Sequence, residues 1–155
     1  MWGSLSIEDG LVAHVQKFLT ELGVGFAFVG RQYPIEVEEE TFYLDLLFYH
    51  LKLRRFVVVE LKNGPFKPEH AGKMSFYLGA VDAVLKHPTD EPSIGMILCR
   101  SKKKLMVEYA LQDTRRPIGV ASFETKLIES LPKELKSSFP TIEEIEAELG
   151  DKSQK

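Results

Sequence analysis

The 155-residue chain has a single cysteine and a single tryptophan. With one thiol, Cys99, no internal disulfide can form, and its place in the apolar run 94–99 suits core packing. No stretch approaches the roughly 18 consecutive apolar residues of a membrane span. The start, Met1-Trp2-Gly3-Ser4, lacks the basic and then hydrophobic pattern of a signal peptide, so the expected location is the cytoplasm, with no membrane partner. His14, His50, His70 and His87 show no zinc-ligand spacing; no zinc site is expected, and these side chains suit caps or surface positions. A general excess of positive charge is missing too. The net charge of −3 argues against a domain that is basic all over.

The charge that is present is unevenly placed. Residues 1–48 hold two Lys/Arg against eight Asp/Glu, residues 49–126 hold fourteen against eight, and residues 127–155 hold four against seven. Positive potential therefore collects in the middle, where a phosphate backbone would be attracted. Solvated surface charge is the alternative. Hydrophobic residues at 44% and charged residues at 28% are ordinary for one soluble α/β domain with a real core.

Inside the basic segment and just before it lie charges in unusual company. Asp45 stands in the middle of an apolar strand, and a second apolar strand, Val57-Val58-Val59, runs into Glu60-Leu61-Lys62. Charged side chains are rarely buried unless paired or bound to metal, so this set needs compensation. A symmetric hairpin around Lys52-Leu53 makes opposed residue numbers sum to 105, which sets Asp45 against Glu60 and Tyr43 against Lys62. A four-residue symmetric loop keeps the same sum. Like charges facing each other across strands destabilise unless neutralised, and a divalent cation between them would do so. Glu60 and Lys62 share a face, whereas Leu61 points away and can offer only its backbone carbonyl. Two carboxylates and a carbonyl are hard donors suited to Mg²⁺, with Mn²⁺ as a substitute, and Lys62 could orient or deprotonate a water or steady a phosphate. An ordinary Glu60–Lys62 salt bridge with Asp45 bonded to a loop is the competing reading.

The surrounding elements follow from periodicity and punctuation. Ser6 caps a helix of about sixteen residues with Leu11, Val15, Phe18 and Leu22 on one side, stopped by Gly23. A short strand over 25–29 ends at Gly30 and turns through Tyr33-Pro34, and the acidic residues 36–40 lead into a strand over 42–49. That strand puts Phe42, Leu44, Leu46 and Phe48 on one face and Tyr43, Asp45, Leu47 and Tyr49 on the other. A third strand spans 55–62 and is broken by Asn63-Gly64-Pro65. Pro68 opens a helix with the stripe Ala71, Met74, Leu78, Val81 and Leu85. Residues 93–99 form a strand, Ser101 caps a helix through about Gln112, and 118–122 form another strand. Phe76 and Tyr77 are expected to pack rather than stack on bases. A final short helix starts at Thr141, boxed by Glu144. The order is α-β-β-β-α-β-α-β.

These residues also carry a resemblance. Asp45 followed by Glu60-Leu61-Lys62, with a helix on either side, resembles the PD-(D/E)xK nuclease superfamily. The runs 26–32, 42–50, 66–69 and 76–78 resemble the YhcG-like nuclease family, over roughly residues 5–125. The resemblance implies a restriction-endonuclease-like α/β fold, a mixed central sheet with flanking helices in an αβββαβ core plus a further αβ. The nuclease core is assigned to residues 1–125, and 126–155 to a C-terminal extension of the same domain. It implies Asp45 and Glu60 as metal ligands and Lys62 as the catalytic lysine.

Many superfamily members add a glutamate from the first helix. Glu8 holds that place here, three residues before Leu11, although it would also favour the helix dipole. The proline that often precedes the aspartate is Leu44. A glutamine often presented by the following helix corresponds to Lys73, which can contact phosphate but cannot accept a hydrogen bond. Relatives are expected to carry an additional N-terminal region, so the chain reads as a fragment of a longer parent or a stand-alone member.

Lys73, Lys67, Arg31, Gln32 and the run Lys102-Lys103-Lys104 are the candidate nucleic-acid contacts. The lysine run opposes a helix dipole that favours anions, a placement phosphate binding would explain. The expected function is Mg²⁺-dependent endonucleolytic hydrolysis of DNA rather than RNA. The alternatives are a non-catalytic nucleic-acid-binding or interaction domain on the same fold, and a structure-selective junction resolvase, which would act as a homodimer.

Overall fold

The computed structural model describes residues 24–122. The expected first helix with Ser6 and Glu8, the stretch beyond Ser122 and the helix at Thr141 lie outside the described residues. Five strands form one sheet in the order β1-β2-β3-β4-β5. They are β1 (Phe26–Val37), β2 (Glu40–His50), β3 (Arg55–Pro65), β4 (Ile94–Ser101) and β5 (Ile118–Ser122). Helix α1 (Pro68–Val84) follows β3 and α2 (Lys104–Leu111) follows β4. The first three strands are antiparallel neighbours, and the two helical crossovers make β3, β4 and β5 parallel. Such a sheet is mixed, as expected.

The strand β1 departs from the sequence expectation. Gly30 does not end it: Phe28 pairs Phe48 and Gly30 pairs Leu47, so Val29 is the extra residue of a β-bulge and the strand runs on to Val37. Isolated glycine in a strand marks a bulge as readily as an end. The turn comes later, at Glu38-Glu39, with φ of 50° and 69° between the paired Val37 and Glu40. Left-handed backbone costs a non-glycine residue about 1–2 kcal/mol. Burial of Ile35 with the packing of Val37 and Phe42 against the same core holds the hairpin in place.

Between β2 and β3 the register has the constant sum of 105 from His50↔Arg55 to Leu46↔Val59. The loop has four residues, closed by the Arg54 amide donating to the His50 carbonyl at 2.8 Å and the Leu53 amide donating to His50 Nδ1 at 3.1 Å. Burial holds the His50 imidazole below its ordinary pKa, with the Val24 carbonyl opposing that shift. The ladder stops one pair short of Asp45–Glu60, so Tyr43–Lys62 also lies beyond it; on the other side of β3, Lys62 pairs with Cys99 of β4. Strand β3 also continues past Asn63-Gly64 through a shift in register and rejoins β4 at Pro65↔Ser101. Ser101 is therefore a strand residue and not a helix cap; α2 starts three residues later, with Lys103 at its N-cap and no side-chain cap bond.

The core lies between the sheet and the helices. Met74, Leu78 and Val81 of α1 and Val107 of α2 pack with Leu47, Val58, Ile97 and Val120. At Gly95 a Cβ would come within 2.6 Å of Met74 Sδ, so the missing side chain sets how closely α1 sits on β4. The opposite face, with Leu46, Phe48, Val57, Val59, Met96 and Leu98, is buried as well. Leu44 belongs to the same helix-facing cluster as Leu47, three residues on, which strict alternation forbids. The expected two-face assignment of β2 therefore fails, and the pleat is displaced at Asp45-Leu46. Phe42 confirms the shift by packing on Phe76, with ring centroids 5.0 Å apart.

Candidate active site

Where the β2–β3 ladder ends, two carboxylates take over its hydrogen bonds. The Asp45 amide donates to Glu60 Oε2 at 2.9 Å, and the Leu61 amide donates to Asp45 Oδ2 at 2.8 Å. Each acid thus grips the other strand's main chain. Asp45 Oδ1 accepts a third bond, from Gln32 Nε2 of β1 at 3.0 Å. Gln32 reaches it from a left-handed backbone, φ 48°, opposite the displaced pleat of β2.

Backbone direction explains the remaining donor. In a strand, the N–H and C=O of one residue point to the same side. Since the Leu61 amide points at Asp45, its carbonyl is directed to the β2 side, beyond the last ladder pair. The carbonyl therefore joins the two carboxylates on one edge.

Glu60 is buried, and its pKa is pushed up to about 8, first by burial and then by the Asp45 charge. The Asp45 amide, Lys62 and Lys73 oppose that shift. Tyr77 of α1 is buried on the same side, and its phenol is pushed up to about 12 by burial and the charges of Glu60 and Asp45. Lys73 Nζ stands over the Tyr77 ring, 5.7 Å from its centroid. Cys99, opposite Lys62 across the parallel pair, is buried, and burial pushes its thiol up to about 12. That suits packing rather than nucleophilic chemistry.

The structure thus brings Asp45, Glu60, Leu61, Lys62, Lys73 and Gln32 to one place. Glu8 lies outside the described residues, and among the described residues no group of three His, Cys, Asp or Glu side chains could hold a metal. The donor set that is present consists of two carboxylates and one carbonyl. All are hard oxygens, and the raised pKa of Glu60 marks charge that a cation would relieve, so the residues fit Mg²⁺ or Mn²⁺.

The other lysines gather at the same end of the sheet. The Phe66 amide donates to the Ser101 carbonyl at 2.8 Å, which sets residues 65–68 beside 101–104. Lys67 at the N-cap of α1 therefore neighbours the run 102–104, and Lys67, Lys103 and Lys104 are exposed. Arg31 is exposed on β1 next to Gln32.

Two residues expected only to cap or to pack lie near the site. His70 caps α1, its Nδ1 accepting from the Lys67 amide at 3.1 Å, and burial followed by the Lys62 charge holds its pKa low. Tyr77 lies at helical spacing from Lys73, which is the signal that could have placed it against the carboxylates.

Comparison with known proteins gives one consistent result. The family model described as the YhcG PDDEXK nuclease domain matches residues 4–140. The chain is 36% identical over 120 residues to YhcG of Escherichia coli (strain K12), to which nuclease activity is assigned provisionally. The match covers 77% of this chain and 32% of YhcG, so the chain spans about a third of that relative's length.

Among solved structures, a repair endonuclease from Pyrococcus abyssi superposes with a TM-score of 0.51 at 16% identity, over 71% of this chain and 45% of that one. EndoMS in complex with double-stranded DNA gives 0.51 at 14% identity, over 73% and 45%. At such identities the likeness shows the fold alone. That fold is the expected restriction-endonuclease-like one.

Proposed function

The chain belongs to the family of YhcG PDDEXK nuclease domains, and on that premise we propose that it hydrolyses phosphodiester bonds of DNA in a reaction that depends on a divalent metal. The observation that carries this reading is the reciprocal grip of Asp45 and Glu60 on each other's strand. It holds two carboxylates together at the end of a ladder, beside a carbonyl directed to the same edge. Asp45, Glu60 and the Leu61 carbonyl would hold Mg²⁺, or Mn²⁺ in its place; when bound, the ion polarises the scissile phosphate and lowers the pKa of a water.

The chain's own residues do the rest. Gln32 fixes the carboxylate plane of Asp45 through Oδ1. Lys62 orients the attacking water and takes up charge developing on the phosphate. Lys73, held over Tyr77, contributes a second positive charge where the superfamily often has a glutamine. Glu8 is the third carboxylate we assign to the site. Arg31, Lys67 and residues 102–104 hold the backbone of the substrate. DNA rather than RNA, Mg²⁺ as the working ion and endonucleolytic cutting all belong to this proposal.

One observation favours a second reading. Lys62 and Lys73 both bring positive charge to Glu60, which would allow a metal-free, non-catalytic DNA-binding site. Incubating plasmid and end-labelled duplex with the protein in Mg²⁺, Mn²⁺ or EDTA separates the two. Cleavage in the metals only, reduced about 10²–10⁴-fold by Lys62→Ala and by Asp45→Ala, is expected. Metal-independent nicking that persists in both variants would sink the enzyme claim. A junction resolvase would in addition sediment as a symmetric dimer.

A further inference from the structure

A second feature lies beside the site, and of its lining only Lys103 and Lys104 already have a part in holding the substrate. Pro68, Lys103, Lys104, Leu105, Met106 and Tyr109 line an open groove of about 730 Å³ between the start of α1 and the outer face of α2. Its floor is apolar and exposed: Leu105 at 58%, Met106 at 37% and Tyr109 at 64%. Core packing explains three residues of the eight-residue helix, because Val107 is its one buried side chain and Ala110 and Leu111 are half-buried against the core. Among the described residues that line it, lysines alone carry charge. Lys67 adds to that charge, since Pro68 lines the groove and follows it directly.

An exposed apolar floor rimmed by positive charge matches one ligand chemistry closely. A purely apolar protein segment would leave the lysines unmatched, and the backbone of a paired duplex would leave the apolar floor unmatched. Unpaired nucleotides present both, with flat bases to stack on a tyrosine and phosphates for lysines. The position agrees. The groove opens at the end of the sheet where β3 and β4 terminate, and strand β3 covers only about 10 Å from Lys62 to Pro65 at ordinary strand rise.

Resting on the nuclease reading, we infer that this groove binds a short single-stranded DNA tail continuous with the duplex being cut, with Tyr109 stacking on a base and Lys103 and Lys104 on its phosphates. The preferred substrate class is then duplex DNA with an unpaired strand next to the scission site. Tyr109 and Met106 read no sequence, because every base offers a flat face.

Fluorescence anisotropy tests this on the full chain in EDTA, so that binding is read without cleavage. The probes are a duplex bearing a short single-stranded tail and its blunt counterpart. The wild-type protein should bind the tailed probe more tightly. Tyr109→Ala should weaken tailed binding about tenfold with blunt binding unchanged, and Tyr109→Phe should retain it. Lys103→Ala with Lys104→Ala should lower the salt slope for the tailed probe by about 1.4.

Equal affinity for the two probes, or an equal loss on both with Tyr109→Ala, would overturn the inference. So would Tyr109-dependent self-association in sedimentation, which would make the groove an interface between copies. Tail preference that depends on Tyr109 in a protein that cuts nothing in Mg²⁺ would leave this site standing while the nuclease reading fell. Cleavage that needs Asp45 while Tyr109→Ala binds like wild type would do the reverse. Tyr109 is mostly exposed, so its variants should melt like the wild type.

Discussion

Glu60 is the residue on which the chemistry turns. Its pKa, raised to about 8, means that the folded protein binds a proton the unfolded chain has already released at neutral pH. The sign follows: without metal, stability is full below the ordinary carboxylate range and falls as pH rises toward 8, by up to a few kcal/mol. Melting in EDTA should therefore show Tm dropping between about pH 5 and pH 8, and Glu60→Gln should flatten the slope. Mn²⁺ or Mg²⁺ at pH 8 should raise Tm in the wild type and not in Glu60→Gln. A wild-type Tm indifferent to pH over that range would count against the buried, repelled carboxylate.

Gln32 offers a finer probe at the same scale. Gln32→Ala removes one bond from Asp45 Oδ1 and leaves both main-chain grips intact. Its activity should fall about tenfold, the loss of a single bond to a charged group, with Tm nearly unchanged. A complete loss of activity would instead give Gln32 a direct part in the reaction.

The elements show why parts of the chain were legible and parts were not. The closeness of Asp45 and Glu60 could be read because a four-residue loop between two apolar strands allows one symmetric register, and the ladder keeps the sum of 105 up to Leu46↔Val59, next to them. Helix α1 was legible for the same reason, since Ala71, Met74, Leu78 and Val81 recur at the helical period and all are buried. The hairpin at Glu38-Glu39 was not, because left-handed turns advertise themselves through Gly, Asn or Asp, and two glutamates hide one. Gly30 and Gly64 misled in the opposite direction. They look like strand ends and instead mark places where the register shifts within β1 and β3. The bond from Gln32 to Asp45 was beyond reading from spacing, because it depends on that bulge and on the displaced pleat.

Two substitutions test the packing argument. Replacing Glu38-Glu39 with Asn-Gly should relieve the left-handed strain and stabilise the protein by about 1 kcal/mol, raising Tm. Gly95→Ala should do the opposite, destabilising by about 1–3 kcal/mol, because a methyl group there meets Met74 at 2.6 Å. Pairing it with Met74→Ala should recover part of the loss. If Gly95→Ala alone were neutral in denaturant unfolding, helix and sheet would not be as close as described.

At the scale of the molecule, charge and topology agree. A chain with net charge −3 sets Lys62, Lys67, Lys102, Lys103 and Lys104 at the end of the sheet where β3 and β4 terminate beside the paired carboxylates. Binding to DNA should therefore weaken steeply with salt despite the acidic total. The same end holds the apolar groove of α2, so one face offers cations, hard oxygen donors and a stacking surface together.

Cleavage depends on choosing a DNA that the protein accepts, whereas metal binding with its coupled proton reads the paired carboxylates themselves. Isothermal calorimetry with Mn²⁺ at pH 7, in two buffers of different ionisation enthalpy, measures both. Saturable binding that releases protons is expected, because Glu60 is largely protonated below about 8 in the metal-free protein. Binding should be lost in Asp45→Ala, and proton release should vanish in Glu60→Gln. Metal binding of unchanged affinity in Asp45→Ala, or binding with no proton released by the wild type, would contradict a metal site on these carboxylates.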